Sequence, residues 1–227
     1  MSMPFYVAPE QLMKDKADYA RKGIARGRAL AAVSYDHGIL LCADNPSRTL
    51  HKISEIYDRI AFAGVGKFSE FDSLRTAGVR HADMKGFAYS REDVDGGSLA
   101  NAYAQLLGQV FTHELKPMEI EILVAELGDD EASDQFYRIS YDGTVVDERV
   151  LTVLGGDADA VRERLREEVG EGMAVGTALR AAVVALGGPE RTLAAADLEV
   201  AVLDRRGTGR RFRRVVDSEL ADLLTPA

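Results

Sequence analysis

The first part of the chain carries apolar residues at helical spacing within a strongly charged segment. These residues are Met13, Ala17, Ala20 and Ile24. Their spacing indicates a helix with one narrow apolar face, for which Pro9 suits the first turn and Gly27 the end. We predict a helix over residues 9–26. Because its apolar stripe is too thin to hold it on its own domain, we expect it to pack against a neighbouring chain.

Several shorter apolar runs have the length and composition of β-strands. The predicted strands are residues 29–35, 39–44, 59–63, 120–127, 135–141, 144–146, 150–154, 198–203 and 212–216. Tight turns are predicted at Asp36-His37-Gly38 and at Asp142-Gly143. Such hairpins require antiparallel neighbours, so the sheets should be antiparallel rather than doubly wound and parallel.

Longer segments with helical periodicity separate the blocks of strands. The predicted helices are residues 67–85, a helix capped by Ser98 that stops before Pro117, a helix capped by Asp157, residues 173–186, and a short helix from Ser218. Each helix stripe needs a sheet face, which two stacked sheets with helices outside provide best. We therefore predict an α+β fold, a four-layer αββα sandwich, with residues 1–227 as one domain.

Composition and charge exclude several classes of protein. The longest apolar runs, residues 39–43 and 181–186, fall far short of the roughly 18 residues of a membrane span. Residues 1–8 lack the basic start of a signal peptide, so we expect a cytoplasmic protein without membrane contact. A formal net charge of −9 opposes binding to nucleic acid. Cys42 is the single cysteine and the four histidines lie far apart, so we expect no metal site.

Two glycine-rich turns invite comparison with nucleotide-binding loops. Gly64-Val65-Gly66-Lys67 follows a strand and precedes a helix, but Ala61 and Phe68 occupy positions where a phosphate loop needs glycine and Ser or Thr. Gly155-Gly156-Asp157 lacks the further glycines of a dinucleotide-binding turn. We expect no cofactor, and a nucleotide-binding module is the weakest of our hypotheses.

Five segments resemble the actinobacterial type of 20S proteasome α subunit, and together they are highly specific for it. They are residues 47–62, 66–72, 99–105, 137–143 and 198–204. This resemblance covers nearly the whole length of the chain. It implies an N-terminal-nucleophile-hydrolase fold, assembly in a seven-membered α ring on catalytic β rings, and gated entry of unfolded protein substrates.

Arg28 separates this chain from an active subunit of that family. An active subunit begins its mature chain with Thr directly after Gly and has an Asp sixteen residues later, whereas here Arg28 follows Gly27 and the Asp is Asp44. The mechanism needs a hydroxyl nucleophile and a free α-amine as base, and Arg28 supplies neither. We expect no catalytic residue, with Asp44 as inherited framework. The alternative, a catalytically active β-type peptidase, would require Thr at position 28.

The resemblance also assigns individual residues. Lys52 matches the lysine that receives the C-terminal carboxylate of a ring-shaped, hexameric AAA+ ATPase activator, and such capture by an ammonium group is physically reasonable. Gly66 and Lys67 match the same activator-binding pocket, while Pro9 and Tyr19 match positions that support the gate. The gate segment itself is expected to comprise Met1, Ser2, Met3, Pro4, Phe5, Tyr6, Val7 and Ala8, in which the Tyr-Asp pair of archaeal and eukaryotic gates is absent.

The expected partners follow from the same resemblance. They are the proteasome β subunit, other α subunits, the ATPase activator and unfolded protein substrates. Proteins tagged with the ubiquitin-like modifier Pup are the expected physiological substrates.

Overall fold

Two five-stranded antiparallel sheets form the centre of the computed structural model, which describes residues 8–225. The strands are β1 (Leu30–Tyr35), β2 (Gly38–Asp44), β3 (Ile53–Tyr57), β4 (Ile60–Gly66), β5 (Ile120–Glu126), β6 (Gln135–Ile139), β7 (Val145–Glu148), β8 (Leu151–Leu154), β9 (Leu198–Asp204) and β10 (Phe212–Arg214). The helices are α1 (Pro9–Ala25), α2 (Phe68–Ala88), α3 (Gly96–His113), α4 (Ala158–Glu168), α5 (Val175–Gly187) and α6 (Asp217–Leu224).

Strand order places β1 and β2 in the middle of one sheet and β4 and β5 in the middle of the other. The first sheet runs β10-β9-β2-β1-β8, and the second runs β3-β4-β5-β6-β7. Both predicted hairpins are present, with Tyr35 opposite Gly38 in the first and Ile139 opposite Val145 in the second. All the strand pairs in the described part of the chain are antiparallel, as the hairpin turns predicted.

The two sheets pack face to face through one buried apolar cluster. Leu30 and Leu41 of the first sheet share this cluster with Ala63 and Leu123 of the second. Neighbouring residues in the same strands point the other way, because successive side chains of a strand alternate between its faces. Cys42, for example, packs under the outer helices of the first sheet. Burial on both faces explains why β1 and β2 are continuously apolar in sequence.

Helices cover the outer face of each sheet and complete the four layers. A cluster containing Leu165, Leu179 and Leu220 joins α4, α5 and α6 to the first sheet. A second cluster, containing Leu74 and Leu99, joins α2 and α3 to the other sheet. The predicted αββα sandwich is thereby confirmed.

Helix α1 contacts its own chain through one strip, and of its residues only Lys16 and Ala20 are buried, so its packing against a neighbouring chain stays a prediction. Ala20 is fully buried, and α1 lies against β4 and β5. The contact is close because Gly23 has no side chain: a Cβ there would lie 2.4 Å from a carboxylate oxygen of Glu119. Lys16 is buried too, and its ammonium group donates to the carbonyl of Phe111 at 3.0 Å. The sequence pattern missed these glycine and lysine contacts.

Three local features differ from the sequence-based expectations. Strand β3 was missed because Ser54 and Glu55 break its apolar pattern and its pairing with β4 shifts register between Glu55 and Tyr57. The cap of α3 is Asp95, whose carboxylate accepts the N–H of Ser98 at 2.6 Å. Asp157 occupies the N-cap position of α4 but makes no side-chain cap hydrogen bond.

Among residues 8–225, no helix is long and apolar enough to cross a membrane.

Candidate functional site

Lys52 lies at the end of the irregular segment that joins β2 to β3. Its ammonium group donates hydrogen bonds to the backbone carbonyl oxygens of Arg28 at 2.8 Å and Asp44 at 3.0 Å. Burial lowers the pKa of Lys52 to about 8, although the negative charges of Asp44 and Glu199 favour the protonated form. The site therefore presents a recessed cation that is charged at neutral pH and loses its proton under mildly alkaline conditions.

Asp44 ends strand β2 between two guanidinium groups. Its carboxylate is only 3% exposed and lies 2.8 Å from Nη1 of Arg28 and 2.7 Å from Nη2 of Arg191. Both arginine side chains are about half exposed. A buried carboxylate needs such partners, because an unpaired charge is costly to remove from water. Asp44 thus has a structural role that its place in the sequence already suggested.

A cleft of about 530 Å³ opens beside this ion triplet. Arg28, Asp44 and Arg191 line it, together with Arg164 and the turn 187–190 after α5. Neither Lys52 nor Gly66 is among its lining residues. The cleft adjoins the predicted activator-binding pocket, because Arg28 and Asp44 line the cleft and their carbonyl oxygens accept the hydrogen bonds from Lys52.

Gly66 lies close to the same stretch of backbone that holds Lys52. Its amide nitrogen is 3.2 Å from the position that a Cβ on Gly27 would take, and Arg28 next to Gly27 accepts the hydrogen bond from Lys52. Gly66 has a φ of +109°, and a Cβ on it would lie 2.0 Å from the carbonyl oxygen of Glu119. Only glycine fits this turn without strain.

Lys67 differs from Lys52 in having carboxylate partners. Its ammonium group lies 3.3 Å from Oε1 of Glu70, which also contacts Lys116 at 3.0 Å. The amide of Lys67 donates to the carbonyl of Glu119 at 3.0 Å. Lys67 therefore fixes the start of α2, and its charge is half exposed and already paired.

The predicted gate-supporting residues lie on α1. Pro9 is its first residue and Ala8 precedes it, while the remaining gate residues, Met1 to Val7, lie outside the described residues. Tyr19 is half exposed, with the ammonium group of Lys116 5.7 Å from its ring centroid. Lys116 is also the main cause of the lowered pKa of Glu119, to which the Tyr19 hydroxyl adds a hydrogen bond. Tyr19 is thus tied to the turn that holds Gly66 and Lys67.

Comparison with known proteins gives the family to which the chain is similar. The model of the proteasome subunit family matches residues 24–202. A proteasome subunit alpha of Acidimicrobium ferrooxidans is 62% identical over 224 residues, covering 99% of this chain and 97% of the relative. Proteasome subunits alpha of Thermobifida fusca and Thermomonospora curvata are each 58% identical, covering 100% and 99% of this chain and 92% and 98% of the relatives.

The chain belongs to the proteasome subunit family, among the α subunits of the core. In this α subunit, position 28 cannot act as an N-terminal nucleophile. Arg28 has no hydroxyl group, and its nitrogen is in a peptide bond with Gly27, which follows α1. The guanidinium group of Arg28 instead forms an ion pair with Asp44.

Two residues of the α-subunit site were missed by the sequence analysis. Arg191 follows the glycine-rich turn after α5, and nothing in its sequence context marks it as a partner of Asp44. Glu199 accepts hydrogen bonds from the segment that carries Lys52. The sequence did contain a signal for Glu199, which is the one acidic residue in the apolar run 198–203. A carboxylate in a buried strand indicates specific polar partners, because charged residues are rarely buried without them.

Proposed function

We propose that this α subunit is non-catalytic, assembles as a seven-membered ring on rings of β subunits, and controls access to their proteolytic chamber. The relatives named above are proteasome subunits alpha over nearly their whole length, which supports assembly with the other core subunits. Arg28 in place of Thr supports the lack of catalysis. Substrates are unfolded cytoplasmic proteins, among them proteins tagged with Pup.

Lys52, with the backbone of Gly66 and the neighbouring Lys67, receives the C-terminal carboxylate of a hexameric AAA+ ATPase activator. The observation that carries this proposal is the hydrogen bonding of the Lys52 ammonium group. An ammonium group has three donors, and within residues 8–225 two of them reach carbonyl oxygens of Arg28 and Asp44. The third is available to a carboxylate, with which it forms a charge-assisted hydrogen bond.

Residues 1–8 form the gate, and α1 supports it through Pro9 and Tyr19. Tyr19 supports this part of the proposal because it shares Glu119 with the turn at Gly66 and Lys67. Tyr19 and the proposed activator-binding pocket thus both contact Glu119, the residue that precedes β5.

The docking role is tested in a particle co-assembled from this subunit and its β partner. Lys52→Ala should abolish ATPase-stimulated degradation while leaving cleavage of short peptides unchanged in a particle whose residues 1–8 are deleted. Lys22→Ala, which removes an exposed lysine of α1, serves as the matched control and should behave as wild type. Full stimulation of the Lys52→Ala particle would refute the docking role.

Assembly and gating have their own tests. Native mass spectrometry of the co-assembled mixture should reveal a particle of 28 subunits, since two rings of seven α and two of seven β chains make up the proposed core. Finding only monomers would refute ring assembly.

Deletion of residues 1–8 should raise the rate at which the assembled particle hydrolyses short peptides, and an unchanged rate would refute the gate.

A further inference from the structure

Glu199 collects hydrogen bonds from the segment between β2 and β3 that ends at Lys52. Its Oε2 accepts the side-chain amide of Asn45 and the backbone N–H of Lys52, each at 2.8 Å. Its Oε1 accepts the next backbone N–H, that of Ile53, at 3.2 Å. The carboxylate therefore binds both ends of a segment that otherwise has no regular secondary structure over residues 45–52.

An arginine and a histidine side chain flank the same carboxylate. Nη1 of Arg214 on β10 donates to Oε1 of Glu199 at 2.6 Å, and its Nη2 donates to the carbonyl of Ile53 at 2.6 Å. Nδ1 of His51 lies 3.3 Å from Oε1. Glu199 is only 8% exposed, so its charge is stabilised by these contacts rather than by water.

The hydrogen bonds at this site require a carboxylate group rather than an amide. An ionised carboxylate is purely an acceptor, with two oxygens and about four lone-pair directions. The amide of glutamine would keep the volume of Glu199 but would replace one acceptor by an NH₂ donor. That donor would face the N–H groups it is meant to bind, and leaving them unpaired in a buried place is destabilising.

We propose that Glu199 is a positioning residue for Lys52. By binding the amides of residues 52 and 53, it fixes the backbone from which the Lys52 side chain reaches the carbonyl oxygens of Arg28 and Asp44. The functional consequence for activator docking rests on the role proposed above for Lys52, whereas the positioning itself does not.

Positioning and simple charge attraction make opposite predictions for the acidity of Lys52. If Glu199 acted only through its charge, removing that charge would lower the pKa of Lys52 below about 8, because the Glu199 charge raises it. If Glu199 holds the backbone in place, its loss lets Lys52 leave its buried position. Burial is the main cause of the lowered value, so release should return the pKa towards the ordinary 10.5.

The test measures acylation of Lys52 by an amine-reactive reagent across pH, with peptide mass mapping to assign the modified residue. For Glu199→Gln in the full chain, we expect the midpoint of Lys52 reactivity to rise from near 8 towards 10.5, with the other lysines as internal references. Glu199→Asp keeps the charge but shortens the side chain, and it should shift the midpoint in the same direction. The Glu199→Asp variant also keeps the test possible if Glu199→Gln fails to fold.

Glu121→Gln is the matched control. Glu121 is as buried as Glu199, and it likewise accepts a backbone N–H, that of Gly155, and pairs with an arginine, Arg138. The Glu121→Gln variant should lower the thermal unfolding temperature while leaving the pH midpoint of Lys52 acylation near 8. A midpoint for Glu199→Gln that stays near 8 or falls below it would overturn the proposal, as would an equal shift in the control.

A second readout separates this inference from the proposed docking function. A synthetic octapeptide with the C-terminal sequence of a hexameric AAA+ ATPase activator should bind the wild-type particle when its terminal carboxylate is free, and should not bind as the amide. Glu199→Gln should weaken that binding about tenfold, the expected effect of losing one charge-assisted hydrogen bond. If wild type binds neither peptide, the docking function fails, but the acylation midpoints still decide whether Glu199 positions Lys52.

Discussion

The ammonium group of Lys52 is hydrogen-bonded, at 2.8 Å, to the carbonyl oxygen of Arg28, the residue that replaces the threonine of an active subunit. This bond links the predicted activator-binding pocket to the ion pair of Arg28 with Asp44. Arg28 uses its backbone for Lys52 and its guanidinium group for Asp44. The same residue therefore contacts both the buried carboxylate of Asp44 and the cation that we propose docks the activator.

Binding of a carboxylate-terminated peptide at Lys52 should weaken as the pH rises through about 8. The ammonium form is the one that binds an anion, and above its pKa its population falls about tenfold per pH unit. Peptide affinity, measured by fluorescence anisotropy between pH 6 and 10, should follow this curve. Lys52→Arg stays charged over the whole range, so its weaker binding should lack the alkaline decline. A wild-type affinity that is independent of pH would contradict the assignment.

The same pKa predicts how Lys52 affects the stability of the fold. The folded pKa of about 8 is lower than the 10.5 of an ordinary lysine, so between these values the unfolded chain binds the extra proton and stability rises with pH. Below pH 8 both states are protonated, and the burial of the charge opposes folding in full. The free energy of unfolding relative to Lys52→Met should therefore increase between pH 8 and 10.5 in urea titrations. A constant or falling difference would show that Lys52 is not held in its buried place.

A double-mutant cycle should show that Arg28 and Arg191 stabilise the buried carboxylate of Asp44 jointly. Arg28→Met and Arg191→Met each leave the carboxylate with one guanidinium partner, and each arginine is half exposed, so we expect single losses of about 1 kcal/mol or less. The double variant leaves a carboxylate that is 3% exposed without an arginine partner, and should lose about 3 kcal/mol. Urea unfolding of the four proteins measures the coupling, and strict additivity would contradict a shared role.

The sequence was sufficient for the layers of this fold, and insufficient for the contacts that hold Lys52, the residue indicated by the resemblance, in place. Periodicity located the helices and both hairpins because burial of a face leaves a regular pattern. It could not locate the cap of α3 or strand β3, since these depend on Asp95 and on pairing across a bulge at Glu55. Arg191 and Glu199 lie 147 residues from the residues they bind, Asp44 and Lys52, and no local pattern records such pairings.

Replacement of Val150 by glycine should stabilise the protein. Val150 has a φ of +71°, a rare and strained conformation for a β-branched residue, and a hydrogen bond from Leu151 N to Arg149 O closes a tight turn around it. Relief of this strain should raise the free energy of unfolding by about 1 kcal/mol, or the melting temperature by about 2–4 °C. Val184→Gly, at an exposed position of helix α5, should instead lower stability by about 0.5 kcal/mol. Destabilisation by both changes would contradict strain at Val150.

Alanine at Gly66 should disrupt the turn that joins the pocket to α1. The added Cβ would lie 2.0 Å from the carbonyl oxygen of Glu119, a backbone atom that cannot move aside alone, and the φ of +109° is unfavourable for alanine. We expect a loss of about 2 kcal/mol or more, because both strain and a displaced β5 contribute. Gly170→Ala is the matched control, since nothing lies within 4 Å of its added Cβ, and it should change stability by less than about 0.5 kcal/mol. Thermal unfolding of both variants measures these values, and peptide binding at Lys52 should fall only for Gly66→Ala. Equal stability and equal binding in the two variants would show that the close approach of Gly66 to Glu119 is not needed for the pocket.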